Sequence, residues 1–225
     1  LHLALHSFRR NKALTVLMVL AIGLGIGACM TTLTVFTLLS GDPLPGRSHT
    51  LFHPQLDPEG KEGNLPGGEP QVQLTRFDAE TLLREARGDR QAMMTGGAVA
   101  ITPGRRELVP FFIDARYTSA DFFAMFGIRF LFGHGWTAAD DEAHARTAVI
   151  SKSLNEKLFG GANSVGRTLR IDQADFTIAG VIDTWRPSPK FYDVFGQRGY
   201  GETEGVFVPF STSRDLDMDR SGSMD

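Results

Sequence analysis

The sequence predicts an α+β fold, with one N-terminal transmembrane helix followed by a mixed α+β domain. Three observations predict it. Residues 13–41 contain no charged side chain, and the first acidic residue is Asp42. Beyond residue 90, short apolar runs of strand length are bounded by turn signals. Between those runs lie segments with helix-start and helix-stop residues. Charge follows the same division. Three of the 23 basic residues, Arg9, Arg10 and Lys12, precede the gap, so 42–225 holds 20 basic and 26 acidic groups, a net charge of −6. Chain-wide values of 42% hydrophobic and 22% charged residues exclude a disordered chain and a many-span membrane protein. The acidic outer region does not support nucleic-acid binding.

In residues 1–12, Leu1, Ala4, Leu5 and Phe8 form one apolar helical face ahead of Arg9, Arg10 and Lys12. This suits an interfacial helix at the cytoplasmic membrane edge. Residues 13–40 are the expected transmembrane helix. The run Ala13 to Leu39 has no charge, Pro, Asn or Gln over 27 residues. At ~1.5 Å per residue it reaches about 40 Å, beyond the ~30 Å hydrocarbon core. It is too long for the 7–15 apolar residues of a secretory signal. Ile26-Gly27-Ala28-Cys29 looks like a lipidation box, but Met30 to Leu39 stays apolar where a lipoprotein leaves its Cys through a polar tether. The basic flank before the span and Asp42 after it place the N-terminus in the cytoplasm. Gly23 and Gly27 form a GxxxG step that permits close helix approach, and Thr31, Thr32 and Thr34 could bond to a neighbouring helix.

Residues 41–225 form the outer domain. Residues 41–73 are rich in Gly and Pro, with a short strand expected at Leu51-Phe52. Thr75 and Asp78 resemble a capping box opening a helix over about 78–87, with Phe77, Leu82, Leu83 and Ala86 as its apolar side. Residues 92–102 and 107–118 are strand-like around the turn Pro103 to Arg106. Ser119 is expected to cap a short helix carrying Phe122, Phe123, Met125 and Phe126, stopped by Gly127. Ala148-Val149-Ile150 reads as a buried strand. Ser151 caps a helix over 152–159, which Gly160-Gly161 ends. Residues 168–171 and 176–182 form a hairpin, and Val206-Phe207-Val208 is the last strand. Between Thr184 and Gly205 regular signals are few, while Trp185, Phe191, Tyr192, Phe195 and Tyr200 accumulate. A loop of this length is often functional, so these five are a candidate surface for a periplasmic partner or substrate. The alternative is that they pack on their own domain.

The chemistry of sites is sparse. The single Cys lies inside the span, so the outer region has no disulfide. There is no CxxC, HExxH, GxSxG or P-loop. His49 and His53 stand in a Gly/Pro context that argues against a shared helical face. His134 and His144 flank Asp140, Asp141 and Glu142, a pattern that favours a solvated acidic turn over a cation site. No catalytic, cofactor-binding or metal residue is assigned.

Several motifs together resemble a known family. They are Tyr117-Thr118-Ser119-Ala120-Asp121-Phe122-Phe123, Phe126-Gly127, Leu131-Phe132-Gly133-His134-Gly135, Thr147-Ala148-Val149-Ile150-Ser151, Leu158-Phe159-Gly160, Ser164-Val165-Gly166-Arg167 and Phe176 to Ile182. With Phe8-Arg9-Arg10-Asn11-Lys12 and the Gly-rich span, the ordered set resembles the MacB-type periplasmic core domain of bacterial ABC transporter permeases, a group that includes FtsX-like permeases. Gly135-Trp136 stands where the family often has Gly-Arg. The resemblance covers roughly 1–40 and 105–185 and carries over no catalytic residue. It implies a permease of the cell inner membrane that pairs with a second permease copy and a cytoplasmic ABC ATPase, on which ATP and Mg would sit. It implies a periplasmic adaptor as a further candidate partner. It also implies three further spans beyond residue 225, so that a chain beginning at Leu1 would be the first part of a permease. A membrane- or lipid-anchored periplasmic binding module without ATPase coupling is the alternative.

Overall fold

A computed structural model describes residues 12–42, 44–57, 73–104, 108–187, 189–193 and 203–220. The expected N-terminal amphipathic segment with Arg9 and Arg10, the turn residues Arg105 and Arg106, and Phe195 and Tyr200 lie outside the described residues. The chain divides into two compact units, Leu1–Pro43 and Leu44–Asp225.

The first unit is helix α1, Lys12–Leu39. Most of its residues are helix formers or β-branched types, Gly23, Gly25 and Gly27 being the poor ones, and no Pro interrupts them. By length and composition it can cross a membrane, and none of that stretch is buried within the protein. The hydroxyls of Thr31 and Thr34 donate to the carbonyls of Gly27 and Met30, both at 2.8 Å. Thr32 bonds to Ala28 in the same way. Each threonine hydroxyl thus donates to a carbonyl one turn earlier in its own helix.

The second unit is built on seven described strands: β1 (Met94–Thr102), β2 (Phe111–Thr118), β3 (Phe130–Gly133), β4 (Thr147–Ser151), β5 (Thr168–Ile171), β6 (Ala174–Ile182) and β7 (Val206–Pro209). Their order is β3-β6-β4-β7-β2-β1-β5. β5 also pairs with β6, so β6, β4, β7, β2, β1 and β5 close a ring of ladders. The β2–β7 and β4–β6 pairs are parallel, and the others are antiparallel. Ring closure leaves fewer open strand edges.

Alternation along the strands separates two cores. Ala148, Ile150, Val206, Val208, Ala115 and Tyr117 face one side with Leu154 and Leu158 of helix α5 (Lys152–Phe159). Val149 and Phe207 face the other, with Phe122, Phe123 and Phe126 of the helix α3 region (Phe122–Met125). In β6 the parity switches. The register with β4 runs Ala148↔Ile178, then Val149↔Gly180, so Ala179 is an inserted residue. A bulge of this kind turns the side chains over. Phe176, Ile178 and then Val181 consequently share one core.

Expected caps are observed with some corrections. In helix α2 (Arg76–Glu85) the Asp78 N–H donates to Thr75 Oγ1 at 3.2 Å. The helix starts two residues earlier than expected, and Phe77 is exposed rather than on an apolar seam. The Leu154 N–H donates to Ser151 Oγ at 3.3 Å, and Gly160 ends α5 at φ 66°. Ser119 does not cap α3, because its hydroxyl accepts the Met93 N–H at 3.1 Å and ties β1 to the loop after β2. Leu51-Phe52 is not a strand. A 3-10 turn at Ser48–Thr50 precedes it, Leu51 packs on the aromatic core, and Phe52 is exposed. Strand β2 begins at Phe111, after Pro110, which has no N–H for a ladder. Unanticipated elements are β3, helix α4 (Ala138–Glu142) with a full Thr137/Asp140 capping box, and helix α6 (Phe210–Asp215).

Candidate functional site

The loop after β6 returns to the sheet through an aromatic layer. Phe122 is fully buried at its centre. Its ring meets Phe126 edge-on at 4.9 Å, Trp185 at 5.8 Å and Tyr192 at 5.9 Å, and lies 5.6 Å from Phe207. Trp185 stacks on Tyr192 at 5.2 Å with an interplanar angle of 11°. Phe191 sits edge-on to Phe126 at 5.1 Å. These offset and edge contacts suit the ring quadrupoles. Arg47 caps the layer's helix, donating to the carbonyls of Ala124 and Met125, both at 3.3 Å.

Beneath this layer lies a buried ion network. Arg116 is a charged residue in the middle of β2 and is 3% exposed. Its guanidinium reaches Glu204 at 2.5 Å and Asp193 at 3.4 Å, and stands 4.8 Å from the Tyr192 ring centre. The Tyr192 phenol donates to the other Glu204 oxygen at 2.9 Å. Lys190, also buried, lies 3.9 Å from Glu204. Two cations, both buried, therefore face two anions, of which Glu204 is buried and Asp193 partly exposed. Burial, then the Glu204 charge, pushes the Tyr192 phenol well above its usual range, which keeps it a donor. Arg116 Nε is buried with no hydrogen-bond partner among the described residues.

The network bonds two described segments of the loop, 190–193 and 203–205, to Arg116 in β2. Of the expected partner surface, Tyr192 is a core residue, while Trp185 and Phe191 are half-buried in the same layer. The physical reason is that α3 and Phe207 offer an apolar floor on which these rings bury more area than they would facing water. The Gly23 and Gly27 positions on α1 are open, with nothing within 4 Å of where a Cβ would stand. Lys12 begins α1 and is exposed. The acidic segment is structural. Asp141 accepts the Ala120 N–H at 2.7 Å and the Trp136 indole N–H at 2.9 Å, and His144 pairs with Asp215 of α6. No group of three or more His, Cys, Asp or Glu side chains could hold a metal ion among the described residues.

Sequence reading missed Arg116, Lys190 and Glu204. The available signal was a lone arginine between Ala115 and Tyr117 in a strand whose neighbours are buried. Its partner is 88 residues away.

The model of one protein family, described as the MacB-like periplasmic core domain, matches residues 15–224. The chain belongs to that family. This MacB-like chain matches no curated protein. Among solved structures it is similar to the periplasmic region of MacB from Actinobacillus actinomycetemcomitans, with 18% identity and a TM-score of 0.49, over 67% of this chain and 62% of that one. It is also similar to the extracellular domain of the noncanonic ABC-type transporter YknZ from Gram-positive bacteria, with 18% identity and a TM-score of 0.47, over 65% of this chain and 68% of that one. The MacB-like chain thus spans under two thirds of the first structure's length.

Proposed function

We propose that this chain belongs to the permease of an ABC transporter of the MacB/FtsX mechanotransmission type. In this reading a separate or fused cytoplasmic ATPase binds ATP and Mg and hydrolyses the nucleotide. The permease, paired with a second copy, carries the resulting motion through α1 to the outer domain. That domain then exports a substrate or activates a periplasmic partner. The observation that carries the reading is the family match, which runs continuously from the charge-free helix through the outer domain.

Two physical features support it. A lever must be stiff, and the outer unit has a closed ring of ladders, an interlocked aromatic layer and a loop bonded to the sheet by buried ions. The flanks of α1 also differ in charge. Arg9, Arg10 and Lys12 precede it and Asp42 follows it, a bias that by the positive-inside rule supports a cytoplasmic N-terminus and a periplasmic domain in this reading.

The test is co-purification from native membranes of a tagged full-length gene product. Recovery of an ABC ATPase, whose activity rises with the permease present, is the expected result. Recovery without any ATPase favours an anchored binding module and overturns the proposal. A cysteine at His53 that an impermeant maleimide labels from outside the cell would support the orientation, and labelling only after lysis would contradict it.

A further inference from the structure

A second feature lies at the opposite side of the sheet from the aromatic layer. β1 and β5 pair only through Ile101↔Ile171 and Thr102↔Arg170. Pro103 follows at once, has no N–H, and cannot extend the ladder. Where the strands part, a groove of about 380 Å³ opens to solvent. Leu158, Phe159 and Leu169 supply its apolar floor, Gly104 one wall, and Arg167 and Arg170 its polar rim. The size is within the ordinary range for small-ligand sites, which combine apolar lining with a few convergent polar groups.

The two arginines differ. Arg170 is neutralised by Asp175 at 3.1 Å. The Asp172 carboxylate is taken by the Ala100 N–H at 2.8 Å. Arg167 has its guanidinium 5.3 Å from the Phe159 ring centre, and no carboxylate among the described residues pairs with it. A guanidinium resting on an aromatic ring keeps its in-plane N–H donors available and matches a carboxylate with two parallel bonds. A cation with no carboxylate partner among the described residues, standing over an apolar groove, selects an anion by local charge complementarity.

We propose that this groove binds a small amphipathic organic anion, with a carboxylate on Arg167 and an alkyl chain along Phe159, Leu158 and Leu169. The site is distinct from the loop network and does not depend on coupling to an ATPase.

The experiment uses the full chain in discs of zwitterionic lipid, with methyl NMR of Leu158 and Leu169 read during titration with octanoate or its neutral amide, octanamide. Octanoate is expected to shift both methyl signals saturably and to bind about tenfold more tightly than octanamide, the contribution of one charge-assisted contact. Arg167→Gln should remove that tenfold preference and leave octanamide binding unchanged. Gly104→Trp adds bulk where a Cβ meets nothing within 4 Å, so it should fold and weaken both ligands. Equal affinity of the native chain for the two ligands would overturn the proposal. So would unsaturable shifts, or an Arg167→Gln chain that still prefers octanoate.

Discussion

Arg116 shows how single residues hold this domain together. Removing one member of a buried ion pair leaves the other charged and dry, which costs about 3–5 kcal/mol. Arg116→Met should therefore destabilise the outer domain by that amount, while Arg116→Met with Glu204→Met should recover part of the loss. Denaturant unfolding followed by Trp fluorescence measures both, and equal losses in the single and double variants would contradict the pairing. Asp141 makes a prediction in pH. Burial is the largest influence on its carboxyl and outweighs the hydrogen bonds from Ala120 and Trp136, which favour the charged form; the pKa rises from 3.8 to about 6. The folded state thus holds a proton that the unfolded state releases between those values. This contribution is fully present below about 4 and is lost as pH rises through about 6. Partial solvent exposure reduces its size to about 1 kcal/mol. Asp141→Asn should flatten the stability profile between pH 4 and 7, and an unchanged slope would contradict the assignment. Gly97 serves a different need. A Cβ there would collide with the Tyr117 ring and the Asp219 carbonyl, which accepts the Tyr117 phenol at 2.9 Å. Gly97→Val should expel the 217–220 segment from the sheet face, visible as faster amide exchange there.

At the scale of elements, the helices capped by Thr75 and Ser151 were legible in the sequence, whereas the five-residue α4, despite its Thr137/Asp140 box, was not. Thr75 and Ser151 sit where their hydroxyls accept first-turn N–H groups. The 168–182 hairpin was legible from alternation, with Asp172 taking the positive φ of 50° that a tight turn requires. β3 was not, because its four residues, Phe130–Gly133, show no period long enough to distinguish strand from loop. Ser119 was misread as a cap because a serine before an apolar run has the same local pattern whether its hydroxyl bonds forward in the chain or back to Met93. On α1, the internal bonds of Thr31 and Thr34 leave Gly23 and Gly27 as the features that permit close approach of another helix. Gly23→Leu with Gly27→Leu should lower cysteine crosslinking between span helices in membranes, and undiminished crosslinking would remove this face from the packing model.

The whole molecule joins an apolar helix to an acidic outer unit closed by long-range pairings. Those pairings were outside the reach of local pattern: Ala115 lies opposite Val206, and Arg116 bonds to Glu204. The aromatic loop shows the same limit. Its composition marked Trp185, Phe191 and Tyr192, but only the positions of Phe122 and Phe207 decide that they pack inward. The proposed role requires that ATP binding in the cytoplasm move this rigid unit. The direct measurement places a spin label at Lys152→Cys, on the exposed side of α5, in a Cys29→Ala full-length permease reconstituted with its ATPase. The account predicts that the label-to-label distance between paired permeases shifts when ATP binds and returns after hydrolysis. An unchanged distance through a full cycle of measured ATP hydrolysis would contradict it.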